Sequence, residues 1–350
     1  MREWKLSYDN SGRSEGALVI PGVTDGKIWV ALFVSGLFLL FAAPVLVLAQ
    51  SPIRVGVLVQ AMERPQAQAI KGLGEELKRL GYEEKKNLFF ESRNAKGNRA
   101  ALQPAAGEIL SRQVNVIFTT GTSATRAAIA STGEIPIVFV HPDDPLASGL
   151  VKNSGERPKN LTGVAAYART TTEKRIELIK EIVPGLRKIV IFYDGNNAFS
   201  RDSFAAAEAA AKKYGLEVAG YAIKSSDELK TTVSSLPRMP ATAIFQIADE
   251  LFEGESEFLF ETARAKNIPT MFNQESWAIG GALAAYGPSF LGMGRQAARL
   301  IDKIIKGEKP ETLSIDRAAK FDLTLNYRTA RFLDLKFTPE ILKKADKVIR

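Results

Sequence analysis

Cysteine and histidine, the usual ligands and catalysts of thiol, metal and triad chemistry, are scarce in this chain. It has no cysteine and one histidine, His141. Disulfides, thiolate metal sites, a cysteine nucleophile, a lipid-anchored cysteine and every multi-histidine metal site are thereby excluded. No metal and no other cofactor is called for. His141 stands in HPDDP (141–145) beside Asp143 and Asp144, residue types suited to proton transfer. No nucleophile accompanies them, and Asp144-Pro145 has N-cap and N1 character. The chain has no GxxxxGK[ST] and no GxSxG, so neither a P-loop nor a nucleophile elbow is present. GMGRQA (292–297) fits GxGxxA but lies inside a helical pattern instead of after a strand. Its small residues read as a close helix contact. Asn160-Leu161-Thr162 is a glycosylation sequon, which matters only in a eukaryotic secretory route.

A different chemistry is offered by FTTGTSAT (118–125). Five of its eight residues are Thr or Ser, one is Gly and none is charged. It follows an apolar run and leads into a helical pattern. Thr122 is placed to cap a helix starting at Ser123. The free N–H groups of such a helix start, with hydroxyls beside them, also bind carboxylate or phosphate. The lack of Lys or Arg in the loop favours a small carboxylate over a polyphosphate.

The elements around these residues alternate. Strand-like runs are IRVGVLV (53–59), NLFFESR (87–93), VNVIFTT (114–120) and IPIVFV (135–140). Between them lie helical segments at 65–80, at 98–112 with an interruption at Pro104, and at 122–131. The pattern then restarts. TTTEKRIELIKEIV (170–183) carries Ile176, Ile179, Ile182 and Val183 on one stripe, and Thr170 with Glu173 has capping-box spacing. Strands over 187–194, 216–223, 241–249 and 268–272 then alternate with helices over 200–215, 227–236 and 250–267. A last portion holds GGALAAYG, a helix over 289–306, KFDLTLNY and a short helical tail. Apolar strands separated by helices predict parallel sheets covered on both faces, here in two α/β units.

In such sheets ligands sit outside the carboxyl ends of the strands. This selects the loops QAMERP (60–65), TTGTSAT (119–125), HPDDP (141–145), YDGNNAFS (193–200), IADE (247–250) and FNQES (272–276).

The net charge is +8, with a pI near 9.4. Residues 1–49 hold four basic and four acidic side chains, so the excess lies beyond them. It is interleaved with acids, as in EELKRLGYEEKK, and reads as a solvated surface with no nucleic-acid partner. IWVALFVSGLFLLFAAPVLVL (28–48) is a run of 21 uncharged residues, long enough to span a bilayer. Pro44 and the small residues Val47 and Ala49 before Gln50 suit cleavage as a signal peptide; retention as an anchor is the other reading. The polar stretch before it is long for a leader, and a start at Val23 would give a conventional one. Either way the expected location is periplasmic or extracytoplasmic.

Three longer runs carry a resemblance: IPIVFVHPDDPLASGLVKNSGERPKNLTGV (135–164), KRIELIKEIVPGLRKIVIFYD (174–194) and GALAAYGPSFLGMGRQAARLIDKIIKGEKPETLSI (281–315). From about residue 53 onward the chain resembles the periplasmic substrate-binding components of ABC-type importers, in the group that includes tryptophan and other aromatic amino-acid binders. The resemblance implies an α/β fold of type I: two Rossmann-like lobes with parallel sheets, a three-crossing hinge and a ligand between the lobes. The implied division is 1–49 as an N-terminal extension plus leader or anchor, 50–164 with 286–320 as one lobe, and 165–285 with 321–350 as the other. Two departures stand out. The family commonly has a simple DPV where this chain has HPDDPL, and often Asn-Pro where this chain has Asp194 with two Asn.

The resulting expectation is a non-enzymatic solute-binding protein for a small amino-acid-like molecule. An acid paired with an anion cradle suits a zwitterion. Thr120, Gly121, Thr122 and Ser123 are expected to hold its carboxylate, and Asp144 or Asp143 to meet its amino group. Gln60, Met62, His141 and Tyr167 complete the first side; Asn196, Asn197, Asp249 and Asn273 supply the second. Tyr167, Phe199, Phe252 and Trp277 are candidates to stack on an aromatic ligand. The implied partners are an ABC permease and its ATPase, with the protein acting as a monomer or weak dimer. A ligand-sensing module reporting to a separate membrane signalling protein is the alternative. A DNA-binding regulator of this fold lacks its helix-turn-helix, and an enzyme lacks a nucleophile–base pair.

Overall fold

A computed structural model describes residues 52–141, 144–146, 148–152, 155–247 and 255–350. The expectations for the leader, Asp143, Asp249, Phe252 and the side chain of Phe199 lie outside what is described. Thirteen strands appear among the described residues: β1 (Ile53–Val59), β2 (Leu88–Asn94), β3 (Val116–Thr120), β4 (Ile137–His141), β5 (Leu161–Ala165), β6 (Lys188–Asp194), β7 (Glu217–Ile223), β8 (Thr242–Phe245), β9 (Thr270–Phe272), β10 (Ala284–Pro288), β11 (Ile315–Arg317), β12 (Phe321–Asn326) and β13 (Lys347–Ile349). The helices are α1 (Arg64–Arg79), α2 (Leu102–Leu110), α3 (Thr122–Ser131), α4 (Thr172–Ile182), α5 (Ala198–Lys213), α6 (Ser226–Ser235), α7 (Ser256–Ala265), α8 (Glu275–Gly280), α9 (Phe290–Ile305), α10 (Tyr327–Phe332) and α11 (Pro339–Lys344).

The strands form two sheets, ordered β11-β5-β4-β3-β1-β2 and β13-β12-β10-β9-β8-β6-β7. All neighbours are parallel except β10 and β12, which run antiparallel. Each sheet is buried on both faces, which is why its central strands are continuous apolar runs. The chain passes between the sheets three times: after β5, after β10 and after β11. The last two crossings are stitched together, because the Ser289 amide donates to the Lys320 carbonyl at 3.0 Å.

Local sequence accounts for most elements. In α1, Ala69, Leu73 and Leu77 recur every four residues and are all buried. The helix stops before Gly81, whose φ of 95° breaks the helical path. The α4 stripe of Ile176, Ile179, Ile182 and Val183 is buried as the pattern predicts. The small residues of 292–297 serve helix contact. A Cβ on Gly294 would stand 2.0 Å from the Ala69 carbonyl oxygen, and one on Gly72 2.1 Å from that of Leu291. Helices α1 and α9 therefore touch backbone to backbone.

Three local expectations are corrected. Pro104 interrupts nothing, because the α-helix starts at Leu102 and places Pro104 in its first turn, where no amide donor is needed. The Thr170–Glu173 capping box does not form. A 3₁₀ turn over Ala168–Thr171 precedes α4, the Thr170 hydroxyl donates to the Tyr167 carbonyl at 2.9 Å, and Glu173 pairs with Lys213. Asp144-Pro145 opens a turn in which Asp144 Oδ1 accepts from the Leu146 amide at 2.9 Å, with no helix among the described residues there.

Candidate ligand-binding site

The first sheet offers the end of β3. Its residues are buried throughout, and Thr120 is 5% exposed. The Thr120 hydroxyl has no hydrogen-bond partner. Gly121 follows with φ 79° and is itself the N-cap of α3, which has no side-chain cap. Thr122 is therefore the first residue of the helix and not its cap, contrary to the sequence expectation. Only glycine takes this left-handed turn at no steric cost, and the turn sends the Thr122 side chain away from its own helix start. The Thr122 hydroxyl instead hydrogen-bonds Nε2 of His141, across from β3 to the end of β4. His141 is buried, so it orients Thr122. Thr119 and Thr125 are bonded to each other at 2.8 Å, and Thr125 closes on the Gly121 carbonyl. The loop is thus held rigidly while the first-turn amides of α3 carry no side-chain cap. A helix start of that kind attracts an anion.

The second sheet offers the ends of β8 and β9, which are neighbours. Gln246 follows β8 and is 4% exposed; among the described residues neither its amide oxygen nor its amide nitrogen has a partner. Asn273 follows β9, is equally buried, and its Oδ1 is also without a partner. A buried polar group left unpaired costs about 1–3 kcal/mol, so such groups mark a place where a ligand or ordered water completes the bonding. Gln246 was not among the sequence candidates. The predicted strand ran over 241–249 and made Gln246 an interior residue. The observed strand stops at Phe245, which moves Gln246 to its carboxyl edge. Arg175 was missed as well. It is buried on α4, donates from Nη1 to the Gln246 carbonyl at 2.6 Å, and lies 4.6 Å over the Phe245 ring. It fixes the backbone that presents the Gln246 amide.

The remaining candidates differ in setting. Gln60 is half-buried at the end of β1, and its carbonyl accepts from the Gly97 amide. Met62 is 47% exposed and Leu146 43% exposed, on the loops after β1 and β4. Asn196 and Asn197 are exposed in a turn built on Asp194, whose Oδ1 accepts from the Asn196 amide at 2.8 Å. Tyr167 sits at the first crossing with φ 52°, its ring 4.5 Å beneath the Arg317 guanidinium and packed on the first lobe's core. Trp277 packs edge-on to Phe272 within the second lobe's core. The sequon residue Asn160 is buried and donates to the Thr132 and Ile135 carbonyls, a purely structural role.

A crevice of about 220 Å³ lies between the lobes, lined by Arg64 and Pro65 after β1 and by Gln274, Glu275 and Ser276 after β9, beside the loops selected from the sequence. There Arg64 of α1 approaches Glu275 of α8 at 3.9 Å, and Lys320 of the third crossing bonds both Asp322 and Asp346.

Two α/β lobes with mostly parallel sheets, joined by three crossings, have the type I periplasmic-binding-protein fold. The sequence profile of the family described as ABC transporter substrate binding protein matches residues 54–349, and the chain belongs to that family. A tyrosine-binding protein of Clostridioides difficile (strain R20291) is 26% identical over 278 residues, spanning 79% of this chain and 80% of that one. A crystal structure of a conserved domain protein from Vibrio cholerae superposes with a TM-score of 0.71 at 26% identity, over 85% of this chain and 100% of that one. The ABC domain from Streptococcus pneumonia in complex with L-Trp gives a TM-score of 0.71 at 21% identity, over 85% and 100%. Among the described residues no helix is long and apolar enough to cross a membrane, and no cluster of His, Asp and Glu suits a metal ion.

Proposed function

We propose that this protein binds an amino acid between its lobes, with tyrosine and tryptophan first among the candidates, and delivers it to a membrane permease driven by a separate ATPase. The observation that carries this reading is the set of buried, unpartnered and uncharged groups at the strand ends: Thr120 in one lobe, Gln246 and Asn273 in the other. The α3 amides and the Thr120 hydroxyl suit an α-carboxylate. The Gln246 and Asn273 carbonyl oxygens suit an ammonium group. Asp144 stays in the set, with Oδ1 engaged by Leu146. Met62 and Leu146 offer apolar surface to an aromatic side chain, a role for which Tyr167 and Trp277 are already occupied by packing. The two relatives named above for tyrosine and L-Trp support the same substrate class.

Thermal unfolding of the ligand-stripped protein against an amino-acid panel tests the reading. A true ligand at one hundred times its dissociation constant stabilises the protein by about 2.7 kcal/mol. A panel in which no amino acid raises the midpoint overturns it.

A further inference from the structure

Residues 327–350 carry seven Lys and Arg against three Asp and Glu, a net +4 that is half of the chain's +8. Two of the four lysines in this segment are engaged: Lys344 pairs with Glu181 and Lys347 with Glu275. The arginines are not. Arg328, Arg331 and Arg350 line a surface pocket of about 340 Å³ with Tyr327, Leu342 and Val348, and no Asp or Glu side chain lines it. Among the described residues none of the three guanidinium groups pairs with an Asp or Glu side chain. Arg328 Nε donates to the Arg350 main-chain oxygen at 2.9 Å, and Arg331 lies 5.5 Å over the Tyr327 ring. Both contacts leave the outer nitrogens of each fork available.

Phe332, the last residue of α10, is 57% exposed. It lies four residues after Arg328 and so on the same side of the helix as that arginine. A fourth arginine, Arg264 of α7, lies 5.9 Å over its ring. Unpaired guanidinium forks match phosphate oxygens, and an exposed aromatic ring among them matches the boundary between headgroup and acyl chain. A free phosphate would use the arginines but have no use for Phe332 or for the apolar floor of Leu342 and Val348.

We propose that this face of the second lobe docks on anionic phospholipid, with a headgroup phosphate in the arginine pocket and the Phe332 ring at the acyl boundary. It is separate from the strand-end groups of the proposed solute site, and it does not depend on which solute that site holds. Its effect is to keep the binding protein at the membrane surface where its transporter lies.

The test is hydrogen exchange of residues 327–350 in the full chain mixed with vesicles, a local readout that a membrane-inserted leader does not imitate. Vesicles of phosphatidylcholine alone are compared with a phosphatidylcholine–phosphatidylglycerol mixture. Several-fold slower exchange on the mixture only, reversed by high salt, supports docking. Arg328→Gln with Arg331→Gln abolishes the protection, and Phe332→Ser, which leaves every charge in place, reduces it. Equal exchange on both vesicles overturns the proposal, as does protection that survives the arginine substitutions. Protection by inorganic pyrophosphate with none on vesicles assigns a small-anion site and overturns it too. So does protection by polyglutamate alone, which assigns an acidic protein partner.

Discussion

Gln246 is a side chain the apo fold serves badly. Both ends of its amide are buried without partners, while its main chain is held by Arg175. The apo protein carries that desolvation as a standing cost, which a bound ligand removes. Gln246→Met keeps the length of the side chain and deletes the orphaned atoms. It should raise apo stability, or leave it unchanged, while weakening ligand binding by tenfold or more. Thermal denaturation and titration calorimetry on the same preparation separate the two effects. Equal losses of stability and affinity would show that Gln246 serves packing alone. Thr122 teaches the complementary lesson. Its residue type suggested a helix cap, but its hydroxyl is used by His141, and the cap is Gly121.

At the scale of elements, the α1–α9 pair governs how the first lobe meets the hinge, because α9 begins directly after the second crossing. Two glycines set its spacing. Gly294→Ala should destabilise the protein by about 1–3 kcal/mol, as overpacking does, since the obstructing atom is a backbone carbonyl with no rotamer to retreat into. Chemical denaturation measures it; a stability unchanged from wild type would mean that the helices slide apart freely. The same interface holds an ion cluster around a buried carboxylate, with both arginines partly exposed. Glu76 is 6% exposed and accepts from Arg79 at 2.9 and 2.8 Å and from Arg299 of α9 at 2.8 Å. The Arg79 hydrogen bond is the main cause that brings its pKa down from 4.5 to about 2; burial opposes it and Arg299 assists. A pKa lowered on folding contributes stability that is present above 4.5 and fades as pH falls toward 2. Unfolding free energy should therefore decline across that window, and Glu76→Gln should flatten the decline. An identical slope in the variant would remove Glu76 from the account.

For the whole molecule the consequence is that two lobes are joined by three crossings. Periplasmic binding proteins are the standard example of hinge closure around a ligand. The last two crossings are tied through Ser289 and Lys320, so closure is expected as a rotation of the lobes with little sliding. Small-angle scattering should show a smaller radius of gyration on saturation with the amino acid that raises the melting midpoint. An unchanged radius under saturation would mean that the lobes bind without closing.

Much of this architecture was legible in the sequence. Periodicity is local, so the α4 stripe, the apolar strands and the stop at Gly81 announce themselves, and the long family-like runs fixed the two-lobed class. The loops at the strand ends followed from the parallel-sheet rule. What the sequence left out depends on partners distant along the chain. Strands β11 and β13 have three residues each and exist only because β5 and β12 offer an edge to pair with. The role of His141 needed the register of β3 against β4. The importance of Gln246 needed the knowledge that no neighbour satisfies it. Sequence determined the elements and the strand-end loops, because those follow from hydrophobic pattern and chain connectivity. Tertiary structure alone decided which polar groups at the strand ends remain unbonded, because satisfaction of a hydrogen bond is a property of the packed neighbourhood and not of the residue.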